Sequence, residues 1–180
     1  MSELEQAPLT GRLVVATPDL SDGNFAHAVV LVLEHGDEGA LGVVLNRPRV
    51  IDAEALLPVW GALSSAPGVL FTGGPVQADQ AVIGLGRGEG GGQEVLSGIR
   101  VLDLESEPED HPDITEVRLY VGYAGWTEGQ LEAEIEAGGW FVVDAEPEDV
   151  FNADPEGLWR RVLLRQGGVF KTVTEDPTLN

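Results

Sequence analysis

The sequence predicts a single domain in which β-strands and α-helices alternate in irregular order. A chain of 180 residues is long enough to bury a substantial core and fits one domain of ordinary size. Its 24 glycines and 11 prolines indicate many turns, whereas a bundle of long helices would need few of them. Short apolar runs between these turn residues are typical of strands, and they outnumber the helical segments.

Two neighbouring apolar runs predict a hairpin near the centre of a sheet. HAVVLVLEH (27–35) and ALGVVLN (40–46) are rich in β-branched residues, and GDEG joins them as a four-residue loop. Because both runs are apolar on both faces, we expect a sheet that is covered on both sides. The remaining predicted strands lie at 12–16, 69–72, 80–86, 99–104, 115–123 and 140–145.

Capping signals predict three helices. Asp52 is the expected N-cap of a helix over 52–60, and Asp154, followed by proline, opens a helix over 154–168. The T-x-x-Q spacing that begins at Thr127 predicts a capping box, and therefore a helix that starts directly after it. The arginines of the last helix are expected near its C-terminus, where they favour the helix dipole.

The charge of the chain is strongly acidic. It has 31 aspartates and glutamates against 10 lysines and arginines, which gives a formal net charge of −21. This balance disfavours direct binding to nucleic acid and to anionic membranes, because phosphate contacts need basic side chains. The chain has no cysteine, and it lacks a signal-peptide pattern and an apolar run long enough to cross a bilayer. We therefore expect a cytoplasmic protein.

The familiar catalytic and cofactor motifs do not occur in this sequence. There is no G-x-S-x-G or H-E-x-x-H, and GRGEGG (86–91) lacks the helix that a dinucleotide-binding turn must open. We predict no catalytic, cofactor-binding or metal-binding residues, and the balance favours a protein that is not an enzyme. The acidic segment 105–113 is either a solvated loop or a loose cation site, and the sequence leaves both interpretations open.

Two turns and one tyrosine are the candidates for a ligand or partner site. LNRPR (45–49) follows a central strand, and its first arginine, Arg47, could bind an anion in a bidentate manner. FTGGPV (71–76) has glycines that allow a close approach of backbone amides. The alternative is that both are ordinary tight turns. The candidate residues are Asn46, Arg47, Thr72, Gly73, Gly74 and Tyr123.

Three blocks of the sequence resemble the YqgE/AlgH family in their order and spacing. They are VATPDLSDGNFAHAVVLVLEHGDEGALGVVLNRP (15–48), FTGGPVQADQAVI (71–83) and GYAGWTEGQLEAEIEAGGWFV (122–142). The resemblance implies one α+β domain over 1–180, with a mixed, strongly curved, barrel-like β-sheet flanked by helices. The core is expected over 10–168, with flexible ends at 1–9 and 171–180.

The resemblance also implies a bacterial protein without established catalytic residues, although some members carry a transcriptional-regulator label linked to alginate control. The leading hypothesis is therefore a non-catalytic regulatory or protein-interaction module with a protein partner. The alternative is a small-anion or metabolite-binding protein, or an enzyme, with a groove at the Asn-Arg-Pro and Gly-Gly-Pro turns. Direct DNA binding is disfavoured by the charge. The third block is either a ligand loop or a joint that docks its helix onto the sheet.

Overall fold

The computed structural model describes residues 8–20, 23, 25–89 and 92–167. Of the ends that the sequence predicts to be flexible, residues 1–7 and 171–180 lie outside this part of the chain. The described residues form two β-sheets and a few short helices, so the α+β class is confirmed.

The strands, numbered in chain order, are β1 (Arg12–Ala16), β2 (Val29–Gly36), β3 (Gly39–Val44), β4 (Pro48–Asp52), β5 (Val69–Thr72), β6 (Val82–Arg87), β7 (Gly92–Leu96), β8 (Ile99–Leu102), β9 (Glu116–Val121), β10 (Ala124–Thr127) and β11 (Trp140–Asp144). The α-helices are α1 (Ala53–Leu56), α2 (Pro58–Gly61), α3 (Gln130–Glu136), α4 (Pro147–Phe151) and α5 (Leu158–Gln166). Short 3₁₀ turns occupy Pro108–Asp110 and Pro155–Gly157.

One sheet is antiparallel throughout and has the order β10-β3-β2-β1-β11. The predicted hairpin of β2 and β3 lies at its centre, and Gly36 pairs with Gly39, so its loop is tighter than the four residues expected. The second sheet has the order β4-β5-β9-β6-β8-β7 and is mixed, because β5 runs parallel to β9.

The core has three apolar layers. The largest lies between the sheets, where Leu13 and Leu31 of the first sheet belong to the same cluster as Phe71 and Tyr120 of the second. A second layer covers the other face of the first sheet, and a third covers the other face of the second sheet beneath α1 and α2. The central strands are therefore buried on both faces, as their sequences predict.

The expectation of one barrel-like sheet is not supported. The described strands divide between two separate sheets, and neither sheet closes on itself or curls strongly. The physical reason lies in the core, since apolar side chains fill the space between two facing sheets. Two sheets that share such a layer do not require a continuous hydrogen-bonded wall.

The helix predicted over 52–60 differs in the structure. Asp52 ends strand β4 and makes no side-chain cap, and Pro58 separates the helical residues into α1 and α2. A proline lacks the backbone N–H that a continuous helix needs and restricts the residue before it, so the segment divides there. The strand β4 was missed because its apolar residues face solvent.

The predicted last helix is shorter than expected. A 3₁₀ turn precedes α5, and the Asp154 carboxylate makes an ion pair of 2.9 Å with Arg161 instead of capping the helix. In the last turn the basic side chain is Arg165, which bonds both oxygens of the buried Asp149 at 2.7 and 2.9 Å. This hydrogen bonding is the main reason that the pKa of Arg165 is raised.

Candidate functional site

The Gly-Gly-Pro turn links the two sheets. The Val44 N–H donates to the carbonyl of Gly73 at 2.8 Å, and the Gly73 N–H donates to the carbonyl of Val121 at 2.9 Å. Gly73 therefore bonds the end of β3 in one sheet and the end of β9 in the other. We call residues Thr72, Gly73 and Gly74 the sheet joint.

Glycine is required at the sheet joint because another part of the chain lies directly against it. A Cβ atom at Gly73 would overlap the carbonyl oxygen of Gly122, and one at Gly74 would overlap the carbonyl group of Tyr123. The sequence predicts that backbone amides approach something closely at this turn. In the structure that neighbour is the protein's own backbone at the start of the third sequence block.

Asn46 and Arg47 hold the turn that precedes β2. The Asn46 side chain donates to the carbonyl of His27 at 2.8 Å and accepts from the Val29 N–H at 3.0 Å. Arg47 donates to the carbonyl of Ala26 at 3.0 Å. These side chains satisfy backbone groups that no strand partner reaches, which gives them a structural role.

Thr72 and Tyr123 are also engaged by their surroundings. Thr72 Oγ1 accepts from Nε of Arg49 at 2.8 Å, and the same arginine donates to the carbonyl of Ala78 at 3.1 Å. Tyr123 exchanges two backbone hydrogen bonds with Val76, and its half-buried ring packs against the core between the sheets. The sequence alone did not indicate Arg49, which lies two residues after Arg47 at the start of β4.

The backbone of His27 adopts an unusual conformation. Its φ is +58°, a region that few non-glycine residues occupy, although histidine is among those that enter it more often. The hydrogen bond from Asn46 holds the His27 carbonyl, and the imidazole ring meets the edge of Trp159 with 4.7 Å between centroids. Asn46 and Trp159 therefore fix the position of the His27 ring.

A half-open groove of about 390 Å³ lies between this turn and α5. Its charged lining side chains are Asp154, Glu156, Arg160 and Arg161, and its other side chains are those of His27, Asn46, Trp159 and Leu164. Of the six candidates from the sequence, Asn46 alone lines this groove. We name this cavity the His27 groove. Its volume falls within the range that small-molecule sites occupy.

Two polar side chains are fully buried away from this groove. The Arg118 guanidinium donates to the carbonyls of Val150, Ala66 and Asn152 at 2.6, 2.6 and 2.9 Å. Tyr120 is 0% exposed, and its hydroxyl has no hydrogen-bond partner among the described residues. Burial lowers the pKa of Arg118 and raises that of Tyr120. Both groups lie inside the core, where no solute reaches them.

The apolar side chains that remain exposed concentrate in one segment. Val50 is 103% exposed, and Ile51, Leu56 and Val59 are 45%, 40% and 53% exposed. They lie on β4, α1 and α2, at the edge of the second sheet. We call these four residues the β4 edge.

The described residues bring no three histidine, aspartate or glutamate side chains together in a way that could hold a metal ion. In the part of the chain that the structure describes, no helix has the length and apolar character that a membrane crossing requires.

Solved structures share this arrangement of two sheets. The crystal structure of protein DIP2367 from Corynebacterium diphtheriae superposes with a TM-score of 0.84 at 30% identity and covers 91% of this chain and 90% of that one. The solution structure of the AlgH protein from Pseudomonas aeruginosa gives a TM-score of 0.67 at 30% identity, with 90% of both chains covered.

The sequence comparisons decide the family. A family model described as AlgH-like matches residues 13–171. A UPF0301 protein of Streptomyces coelicolor is 48% identical over an alignment of 188 positions, which covers 98% of this chain and 97% of that protein. A UPF0301 protein of Thermobifida fusca is 43% identical over an alignment of 197 positions, with 99% of each chain covered. The chain belongs to the YqgE/AlgH family.

In this YqgE/AlgH member the three sequence blocks meet at the sheet joint. The first block supplies Val44, the second supplies Gly73 and the third supplies Gly122, and backbone contacts join all three. The blocks therefore build the connection between the sheets. His27 belongs to the first block, and no periodicity in the sequence indicates its contact with Trp159.

The third YqgE/AlgH block docks a helix. One carboxylate oxygen of Glu134 on α3 accepts from the indole N–H groups of Trp126 and Trp140 at 3.1 and 3.0 Å. The Gln130 side chain accepts from the Thr127 N–H at 3.0 Å, which is one half of the predicted capping box. The helix begins at Gln130 because Gly129, with φ of +73°, separates it from β10. These contacts favour the docking interpretation of this block over the ligand-loop interpretation.

Proposed function

We propose that this YqgE/AlgH protein is a non-catalytic protein-interaction module whose docking surface is the β4 edge. One observation carries the proposal: four of the five large apolar side chains that are exposed in the described residues fall within ten consecutive positions, 50–59. Scattered apolar residues on a surface are ordinary, whereas a concentrated group at one edge is typical of an interaction site.

The backbone of β4 supports binding by strand addition. It is an edge strand that pairs with β5 at Pro48 and Asp52, and its register shifts between these two positions. The first position is a proline, which edge strands tolerate because one side of the strand makes no sheet hydrogen bonds. An extended partner segment could pair along the open side and place its side chains against Val50 and Ile51.

The charge of the chain favours a basic partner. Asp52 and Glu54 are exposed beside the apolar residues of the β4 edge, and the whole chain has a net charge of −21. A second copy of this chain would bring the same negative charge and would be repelled. The proposed occupant is therefore an extended segment of another protein that carries both apolar residues and lysine or arginine.

Photo-crosslinking from the surface tests this proposal. A benzoyl-phenylalanine at position 50, in the bacterial host, should crosslink a defined protein through a basic segment that is extended in its complex. The same probe at Leu164, which is 43% exposed on α5, is the matched control. The crosslinked segment is then synthesised, and its dissociation constant for the purified protein is measured by calorimetry.

Val50→Lys should weaken binding of this segment by about tenfold or more, because it removes apolar contact and places an ammonium group where it repels the lysine or arginine of the partner. Leu164→Lys should leave the dissociation constant unchanged. Equal crosslinking from positions 50 and 164, an acidic partner segment, or full binding by the Val50→Lys protein would contradict the proposal.

A regulatory role fits this mechanism without contact with DNA. A module that captures a basic segment of another protein can change the availability of that protein, and the acidic surface is then an advantage. The transcriptional-regulator label on some relatives is compatible with regulation through such a partner.

A further inference from the structure

The His27 groove contains one unpaired charge of each sign. Among the described residues, Arg160 and Glu156 form no ion pair, either with each other or with another side chain, and both are exposed. Glu156 lies in the 3₁₀ turn and Arg160 in the first turn of α5, four positions later, and both side chains line the same groove. Groups of opposite charge at this spacing can hold the two ends of a small dipolar ligand.

The other charges of the groove are already compensated. Arg161 bonds Asp154 at 2.9 Å, and its second amino group bonds the side-chain oxygen of Asn152 at 3.0 Å. Two arginines and two carboxylates therefore give the lining a formal charge of zero, in a chain whose net charge is −21. A free anion would enter against the field of the whole protein, whereas a ligand with both charges has no net repulsion to overcome.

The groove also has an apolar wall and a fixed aromatic floor. Leu164 is 43% exposed at the groove, and the buried Trp159 is held by its indole N–H, which donates to the carbonyl of Ala16 at 2.8 Å. The His27 ring packs on this indole with 4.7 Å between centroids. A short apolar group can therefore lie against Leu164 while the charged end of a ligand meets the two free charges.

We propose that the His27 groove binds a free α-amino acid with an apolar side chain. Arg160 receives the α-carboxylate through charge-assisted hydrogen bonds, and the Glu156 carboxylate accepts from the α-ammonium group. The side chain of the ligand packs against Leu164. This site lies on α5 and the turn before it, so it is independent of the proposed partner surface on β4.

Titration of the ¹⁵N-labelled protein with L-leucine, followed by NMR, tests the assignment. Leucine should shift amide resonances of residues 156–164 and of the turn at His27. Two analogues separate the contributions of the two charged groups of leucine. 4-Methylpentanoate keeps the carboxylate without the ammonium, and 3-methylbutylamine keeps the ammonium without the carboxylate. Each should bind about 10- to 100-fold more weakly than leucine, since each loses one charge-assisted contact.

Arg160→Gln and Glu156→Gln should each weaken leucine binding by about tenfold or more without changing the melting temperature, because neither side chain has a partner in the described protein. Glu109→Gln, at an exposed position in the other 3₁₀ turn, is the matched control and should bind leucine as the unmodified protein does. No resonance shift with leucine up to about 10 mM would overturn the proposal. So would full binding by both groove variants, or equal binding of 4-methylpentanoate, which would indicate an anion site.

Discussion

Replacement of the buried Tyr120 by phenylalanine should stabilise the protein. The Tyr120 ring lies on β9 within the core between the sheets, with its centroid 5.7 Å from that of Phe71. Its hydroxyl is buried and makes no hydrogen bond to another described residue. Phenylalanine preserves the ring and its packing, and it removes a polar group that gave up hydration without gaining a partner in the described chain.

The size of the gain follows from the cost of an unpaired polar group. Burial of such a group costs about 1–3 kcal/mol, so Tyr120→Phe should raise the free energy of unfolding by about 1 kcal/mol at pH 7. Burial raises the pKa of Tyr120 in the folded state, whereas a phenol in the unfolded chain titrates near about 10. Above that pH the unfolded state loses a proton that the folded state keeps, so this contribution to stability falls as pH rises. The advantage of the variant should therefore grow by about 1.4 kcal/mol between pH 7 and pH 11.

Urea unfolding at pH 7, 9 and 11 measures this difference between the two proteins. Tyr123→Phe is the matched control because it removes the chain's other phenol from a half-buried position, and we expect no gain from it at pH 7. A Tyr120→Phe protein that is less stable than its parent at pH 7 would refute the reasoning, because the hydroxyl would then have a favourable partner. A pH-independent difference would refute the assignment of the raised pKa to burial.

Two further substitutions test polar contacts in the core and in the third block. Arg118→Met should lower the free energy of unfolding, measured in urea, by about 2–4 kcal/mol, because three carbonyls lose their donor. This loss exceeds the gain from removing a desolvated charge, and an unchanged free energy of unfolding would contradict that balance. Glu134→Ala should cost about 2–3 kcal/mol by thermal unfolding, since two buried indoles lose their acceptor. Glu136→Ala, exposed on the same helix, should stay within about 0.5 kcal/mol, and similar losses in both variants would exclude a specific role for Glu134.

The central strands could be predicted because burial and local preference agree there. β1 and β5 begin and end at the residues expected from the sequence, and the pairing of β2 with β3 follows from two β-branched runs around a glycine turn. In these segments the local strand preference and the position in the folded core agree. An apolar strand that is buried on both faces can therefore be predicted without information from distant residues.

The edge of the second sheet could not be predicted in the same way. In β4 the consecutive apolar residues Val50 and Ile51 are both exposed, so the strand lacks the alternation of apolar and polar residues that marks a half-buried strand. Asp52 at its end resembles a helix N-cap. The division of the strands into two sheets depends on which apolar faces meet across the core. Local periodicity does not contain this information, and the resemblance to the family alone led to the barrel-like description.

The candidate site shows why residue type is a weak guide to a ligand. Asn46 and Arg47 have the chemistry of anion recognition, but the structure uses them to hold the carbonyls of His27 and Ala26. The sequence does not show whether such donors bind a ligand or the carbonyl groups of a nearby backbone turn. The two charges proposed to bind a ligand in the His27 groove present the opposite difficulty, because in the sequence Glu156 and Arg160 resemble ordinary solvated charges.

The three family blocks and the two proposed surfaces should respond differently to substitution. The blocks meet at the sheet joint, where Gly73 and Gly122 are in backbone contact, so changes there alter the relation of the two sheets and with it the stability of the whole domain. An Arg47→Ala protein would confuse a loss of ligand with a loss of the turn at Ala26, and it is therefore a poor test of binding. The β4 edge lies between the first and second blocks, and α5 follows the third, so Val50 and Arg160 can be changed without disturbing the joint. If binding changes in these variants while the unfolding transition remains the same, recognition depends on the segments between and beyond the family blocks, and the first block contributes His27 and Asn46 to the wall of the His27 groove.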